Sequence, residues 1–436
     1  MKNRKNKLLF FLSRGQRLHF ILACSIVAML GVLAYATKRL SLTDVFELGA
    51  FSAVVLEAVL AMAAEFLRNR IYNAVEDRTK LTTDYASLVK RYKSLENMIC
   101  AYAGGEVLIE EKIPVVLDAW LYDCTVCVED HPEWEYSLPD LVIKHYEDLF
   151  AAHYTSTIYN NSNIRVCDWG MEGDVFTIRT GRTTYYNGLV TNRCADFELQ
   201  DGITVRNWYE CGPMLHPLAY SALSNHLGFN GFVESSDGKI CFVERSADVS
   251  IGKKTWGNSI GASLKVKYAL DEKFNFSRTG MHRAMVAEIR DELGIEETSL
   301  LTVAGDDASK VVIISAYRDL VEAGKPQLLM YARSALSSEE IEKVFYLHNA
   351  ASCDGTKHRG SGKTVSAREK KENKMLTDGT RLMWIAKTDF DQIQVHANRI
   401  LYDGNTYPMV PSSAACVRMF QDYLKDEAAG FSYWRL

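Results

Sequence analysis

The sequence predicts a mixed α+β protein: an N-terminal transmembrane α-hairpin and a helical stalk, joined to a large domain of strands and helices. Three observations predict it. Two apolar runs stand within the first 67 residues. A heptad of apolar residues follows them. From about residue 105, strand-patterned runs alternate with amphipathic helical ones. At 436 residues, with 47% hydrophobic and 24% charged residues, the chain is long enough for two or three folded units. The net charge of −5 gives no reason to expect direct nucleic-acid binding.

The first apolar run, Leu18 to Ala36, has nineteen residues and no Asp, Glu, Lys or Arg. About 20 such residues cross the hydrocarbon of a bilayer. The second runs from Leu48 to Leu67, interrupted by Glu57 and Glu65. A short turn with Lys38, Arg39 and Asp44 joins them into a hairpin. Lys2, Arg4, Lys5, Lys7, Arg14 and Arg17 precede the first span, and Arg68, Arg70, Arg78 and Lys80 follow the second. Basic residues stay on the cytosolic side, so both termini are expected there. Ala34-Tyr35-Ala36 also resembles a signal-peptidase site, which would place the protein outside instead. A carboxylate in hydrocarbon is costly. Glu57 therefore reads either as an assembly or pore contact or as a neutral group tucked against the other helix.

Leu81, Tyr85, Leu88, Tyr92, Leu95, Ile99 and Tyr102 recur at alternating spacings of four and three, a heptad seam that Gly104-Gly105 closes. The stripe suits a self-association stalk over residues 68–104, or a helix laid on its own domain. Residues 105–160 read as a connecting region and 161–436 as the main domain. The ten cysteines of a chain with this much core read as reduced thiols. Cys124 and Cys127 form one CxxC with no second pair to complete a zinc site.

In the connecting region, Pro114 to Trp120 is apolar and Leu138 to His153 reads as a helix. Val175–Arg179, Thr183–Val190 and Ile203–Tyr209 are β-patterned. Phe229–Glu234 and Lys239–Arg245 flank Ser236-Asp237-Gly238, a hairpin signal. Trp256-Gly257 and a long loop lead to a helix over 281–295, with Met285, Val286, Ile289 and Leu293 on one stripe and Gly294 at its end. Glu288, Asp291 and Glu292 stand at i, i+3 and i+4, so their carboxylates gather on a neighbouring face. Oxygen ligands of this kind suit Mg²⁺, which bridges carboxylates to phosphates. Val311–Tyr317, Gln327–Tyr331 and Arg381–Ile385 read as strands. Ser337 with Glu340 forms a capping box, and Ser412–Leu424 a closing helix. Arg245, Lys253, Lys254 and Trp256 are candidate nucleotide contacts, cations for phosphate and an indole for a base. They read equally as loop charges and a core tryptophan. Residues 353–374 form a basic polar loop, and Lys357 stands where a Walker A loop needs glycine.

The order hairpin, Trp-Gly turn, glycine loop and Glu-x-x-Asp-Glu-x-Gly helix resembles the Nudix fold. Ala287 to Ile295 is similar to the second half of the Nudix box. The resemblance covers roughly residues 160–436 and implies an α/β/α sandwich. It also implies that Glu288, Asp291 and Glu292 hold a metal at a diphosphate. Two positions depart from the family: Ala287 replaces the box arginine, and Thr279 falls where an upstream glutamate is expected. Asp271 or Glu272 in the long loop could stand in for that glutamate.

Two spans before such a domain resemble the membrane effectors of cyclic-oligonucleotide antiphage signalling (CBASS), with a SMODS-associated Nudix-like domain. That resemblance implies a bacterial inner-membrane protein, both termini cytoplasmic, that senses a cyclic nucleotide made by a partner cyclase. It would then form homo-oligomers and disrupt the lipid bilayer. The degenerate box fits binding without turnover. The alternative is a membrane-tethered Mg²⁺-dependent Nudix hydrolase of a nucleoside diphosphate derivative.

Overall fold

The computed structural model describes residues 79–92, 113–153, 159–199, 202–246, 249, 251–303, 309–354 and 379–428. Both expected spans, Glu57, the stalk beyond residue 92 and most of the basic loop lie outside the described residues. Among the described residues no helix is long and apolar enough to cross a membrane.

The described elements run α1 (Tyr85–Arg91), β1 (Val115–Trp120), β2 (Thr125–Glu135), α2 (Asp140–Lys144), α3 (Tyr146–Ala151), β3 (Ser162–Glu172) and β4 (Val175–Thr184). Next come α4 (Tyr185–Val190), α5 (Val205–Tyr209), β5 (Gly228–Glu234), β6 (Lys239–Arg245), β7 (Trp256–Asn258), β8 (Ile260–Ser263) and α6 (Val266–Ala269). The last are α7 (Arg278–Leu293), β9 (Val312–Asp319), β10 (Lys325–Arg333), α8 (Ser338–Asp354), β11 (Gly379–Ala386), β12 (Gln394–His396), β13 (Arg399–Tyr402), β14 (Asn405–Pro408) and α9 (Pro411–Ala428).

The main sheet has the order β1-β9-β10-β5-β6-β11. Strands β10 and β5 run parallel, from Gln327 beside Gly228 to Arg333 beside Glu234. The other pairs along that order are antiparallel. Strands β5 and β6 meet at one pair, Glu234 and Ile240, and then diverge. The gap is filled by β7, which pairs with β6, and β8, which pairs with β5. Ser259 lies between those two short strands. Its hydroxyl accepts from the Val233 N–H at 2.8 Å and donates to the Cys241 carbonyl at 2.6 Å, so one side chain ties both sides of the fork.

Successive strand residues point to opposite faces. Phe229, Val233, Cys241, Val243, Leu328 and Met330 meet Met281, Met285, Ile289 and Leu293 of α7 on one face. On the other, Phe232, Ile240, Phe242, Leu329 and Tyr331 meet Ala415, Met419, Phe420 and Tyr423 of α9. Helices on both faces explain why these strands read as nearly continuous apolar runs. The result is a mixed α+β fold with an α/β/α core. A second sheet, β2-β4-β3, adds Ile164, Val166, Phe176 and Ile178 to the α7 side.

Several expectations need correction. The boundary at residue 161 does not hold for the main sheet, because β1 pairs with β9 from Val115–Asp319 to Trp120–Ser315. The β-patterned runs at 183–190 and 203–209 are the short helices α4 and α5. Thr184 and Thr204 cap them, accepting from the N–H groups of Asn187 and Asn207. The helix expected over 138–153 is two pieces, α2 and α3, parted at His145. In the stalk stripe, Leu88 and Tyr92 are buried against Val116, Leu215, Leu320 and Val321 of the same chain. That part of the seam is therefore used on its own domain, not on a partner helix.

Arg206 of α5, 1% exposed, holds this junction together. Its guanidinium donates to both carboxylate oxygens of Asp196 at 2.6 and 2.9 Å. It also donates to the carbonyls of Leu320 and Val321, each at 2.7 Å, and to the Tyr92 hydroxyl at 3.3 Å. Tyr92 in turn donates to the Glu210 carbonyl at 2.6 Å. Burial alone would lower the Arg206 pKa, but Asp196 outweighs it and the net shift is upward.

Candidate functional site: a charged cavity beside the acidic helix

Helix α7 starts where the Ser277 side chain caps the Gly280 N–H, and it ends at Gly294, whose φ of +75° suits glycine. Glu288 and Glu292, one turn apart, face a cavity of about 150 Å³. Lys265, from the end of β8, reaches the same wall. Its ammonium lies 2.7 and 2.8 Å from the two oxygens of Glu288, which is 1% exposed. Burial on its own would lower the Lys265 pKa. The Glu288 carboxylate, helped by Glu292 and Asp291, reverses that and keeps the ammonium charged.

Asp291 takes a different path. The Tyr268 hydroxyl donates to it, and Arg290 lies 3.2 Å away. Burial and this carboxylate together push the Tyr268 pKa up. Asp291 does not line the cavity. The expected Mg²⁺ set is therefore split: Glu288 is paired with Lys265, while Asp291 accepts from the Tyr268 hydroxyl and is paired with Arg290. Among the described residues no three or more His, Cys, Asp or Glu side chains converge to hold a metal. The residues present do not fit a divalent cation as they stand. Neither Asp271 nor Glu272 lines the cavity, and Asp271 Oδ1 accepts the N–H groups of Lys273 and Asn275 within its own turn.

The nucleotide candidates also separate. Arg245 lines the cavity and donates to the Ile251 carbonyl at 3.3 Å. A Cβ on Gly261 would stand 3.5 Å from Arg245 Nη1 and 3.3 Å from Asn230 Oδ1, so the bare glycine leaves room between them. Lys253, Lys254 and Trp256 are not among the cavity's lining residues. Lys254 is exposed. Trp256 packs edge-on to Tyr407 at 6.0 Å, with the Arg381 guanidinium 5.7 Å from its ring centre. It is partly buried against the α9-side core, as Trp120 is.

The sequence reading missed the cavity's other charged wall. Arg193 and Lys325 lie 3.4 and 3.3 Å from the same Glu322 oxygen. Burial lowers the Lys325 pKa, with Glu322 opposing. Burial would raise that of Glu322, but Lys325 and Arg193 prevail and lower it. Arg193 also donates to the Tyr185 hydroxyl at 2.9 Å. Among the described lining residues, four cations, Arg193, Arg245, Lys265 and Lys325, thus face three carboxylates, Glu288, Glu292 and Glu322.

Behind this wall, Asp319 pairs across the sheet with Lys325. Burial, reinforced by the charge of Glu322, pushes its pKa from an ordinary 3.8 up to about 7. A raised carboxylate pKa means the fold holds the proton more tightly than the unfolded chain does. The associated stability is complete below pH 3.8 and is lost as the pH rises through about 7. Asp319→Asn should flatten this loss, which reaches roughly 1.4 kcal/mol per pH unit in that window. Melting curves of both proteins from mildly acid to neutral pH check it; parallel slopes would acquit Asp319.

No protein-family model matches the sequence, and no curated protein matches it. Among solved structures, a MutT protein from Methanosarcina mazei Go1 aligns at 9% identity over 47% of this chain and 94% of its own, with a TM-score of 0.23. RenU, a Nudix hydrolase from M. smegmatis, aligns at 14% identity over 48% of this chain and 88% of its own, with a TM-score of 0.24. DR0079 from Deinococcus radiodurans aligns at 16% identity over 26% of this chain, with a TM-score of 0.18, and the chain spans 57% of its length.

Proposed function

We propose that this chain is a membrane-tethered receptor whose Nudix-like domain binds a phosphorylated nucleotide without hydrolysing it. The observation that carries the reading is the Lys265 ammonium on both oxygens of Glu288. A protein cation occupies the helix carboxylate from which a catalytic metal would otherwise work. Arg245 lines the cavity, and Arg193 and Lys325 share the single carboxylate of Glu322, so the two of them together carry more positive charge than that one partner balances. Guanidinium and ammonium groups in a partly dry cavity are suited to phosphate oxygens.

In its finer form the ligand is a cyclic oligonucleotide from a nucleotide cyclase of an antiphage system. Binding drives protomers together at the bacterial inner membrane, and residues 1–67 breach it. The two apolar runs and the sequence resemblance support this form. The cavity's 150 Å³ is below the roughly 300–1,000 Å³ of sites that enclose a drug-sized ligand. It therefore grips one unit of such a ligand, not the whole ring. To switch assembly from about 1% to 99%, the ligand must favour the assembled form by roughly 10⁴-fold.

Calorimetry on the full chain in lipid nanodiscs, with cyclic di- and trinucleotides, tests the reading. Binding should occur with or without Mg²⁺, and the ligand should be recovered intact. Glu288 and Glu292 sharing one wall favours the hydrolase as the second reading. Mg²⁺-dependent release of phosphate or a nucleoside monophosphate, lost in Glu292→Gln, would establish it instead.

A further inference from the structure

Asn163 of β3 lines the cavity and is 0% exposed. Neither its amide nitrogen nor its carbonyl oxygen has a hydrogen-bond partner. Native folds rarely leave a buried amide wholly unpaired, so such a group calls for a ligand or a strained role. Among the described lining atoms, three others, Arg193 Nε, Glu288 Oε1 and Glu322 Oε2, also lack a hydrogen bond, but each of them lies in an ion pair, which the Asn163 amide does not. Asn230 donates to the Tyr317 hydroxyl at 2.7 Å, and Glu322, Lys265 and Arg193 are all in ion pairs.

The chemistry of the missing partner can be narrowed. An asparagine amide offers donors and an acceptor side by side. A phosphate supplies acceptors only, which would serve the nitrogen and leave the carbonyl oxygen facing another acceptor. A nucleobase edge supplies both. Adenine, with N6–H beside N7, guanine, with N1–H beside O6, and cytosine, with N4–H beside N3, all do so. The edge an asparagine amide customarily reads in a bidentate pair is adenine N6 with N7. Tyr159 and Tyr185 line the same cavity, and the Arg193 guanidinium lies 5.4 Å from the Tyr185 ring centre. Aromatic faces of this kind stack on bases.

We propose that Asn163 is a specificity-determining residue that reads the edge of a nucleobase, with adenine the preferred base. The proposal rests on the nucleotide-binding reading above and names what distinguishes one nucleotide from another. In this assignment the cations hold phosphate and Asn163 holds the base.

The test uses the full chain in nanodiscs with three probes: inorganic pyrophosphate, ADP and GDP. ADP should bind roughly 10- to 100-fold more tightly than pyrophosphate, the range one bidentate base contact supplies. GDP should fall below ADP. In Asn163→Leu the advantage of ADP should disappear while pyrophosphate affinity is unchanged. The ligand-free melting temperature should rise by about 2–4 °C, because an unpaired buried amide has been removed. Asn163→Ala serves the same comparison should leucine prevent folding. An ADP advantage that persists in both variants, or is absent from the wild type while pyrophosphate binds, overturns the role of Asn163. Failure of the wild type to bind any of the three overturns the nucleotide reading beneath it.

Discussion

Lys265→Ala is expected to unfold at markedly lower denaturant than the wild type, with a loss of about 3–5 kcal/mol. The reason lies in what remains. Glu288 is 1% exposed, and the ammonium touching both of its oxygens is gone. The orphaned carboxylate will take up a proton instead of staying charged in a dry wall. In the variant, then, the folded pKa of Glu288 rises further above its unfolded value. Stability should be present at mildly acid pH and should fall as the pH rises towards neutral. The double variant Lys265→Met/Glu288→Leu should recover most of the loss, because replacing a whole buried pair by apolar groups is often neutral or better. It should not recover ligand binding. Urea unfolding of the three proteins at two pH values reads all of this. A single variant as stable as the wild type would mean that Glu288 is reached by water in a way the buried pair excludes.

Arg206→Met should be as damaging, again by about 3–5 kcal/mol, and for a structural reason distant from the acidic helix. The guanidinium alone joins Asp196, the Tyr92 hydroxyl and the Leu320 and Val321 carbonyls. Methionine fills the space but removes the buried charge opposite Asp196 and the guanidinium donors to the Leu320 and Val321 carbonyls, leaving the Asp196 carboxylate only the Thr82 N–H and the Leu320 carbonyl only the Ala323 N–H. Tyr92→Phe removes only one member and should cost about 1 kcal/mol. The turn after Val321 supplies Glu322 and Lys325 to the cavity. Ligand affinity should therefore fall in Arg206→Met even where the protein is folded, as calorimetry below its melting point can show. Unchanged affinity in a folded variant would uncouple the turn from α5.

How much of this was legible in the sequence depended on the range of the interactions. The β5–β6 hairpin announced itself through apolar strand-patterned runs around Asp237-Gly238, and Lys239–Arg245 is the strand as read. Helix α7 was legible from its apolar spacing and Gly294. The capping box holds as well: Glu340 accepts from the Ser337 N–H at 2.8 Å, and Ser337 Oγ accepts from the Glu340 N–H at 3.4 Å. These are contacts within four residues. Helices α4 and α5 were hidden by their β-branched and aromatic content, although Thr-x-x-Asn stands at the start of both. The cavity was hidden for a different reason. Lys265 and Glu288 are 23 residues apart, and Asn163 and Arg193 meet Lys325 only through the fold. The acidic helix could be read as a metal face because nothing local reveals the lysine that neutralises it.

The packing of α1 bears on distance. With the second span ending at Leu67, as proposed, seventeen residues reach Asp84, which caps the helix docked on the domain. Even fully extended, that length covers at most about 60 Å. Asp84 would thus stay within about 60 Å of the lipid. Neighbouring copies would find one another by drifting in a plane, at an effective concentration far above that of the same chains free in the cell.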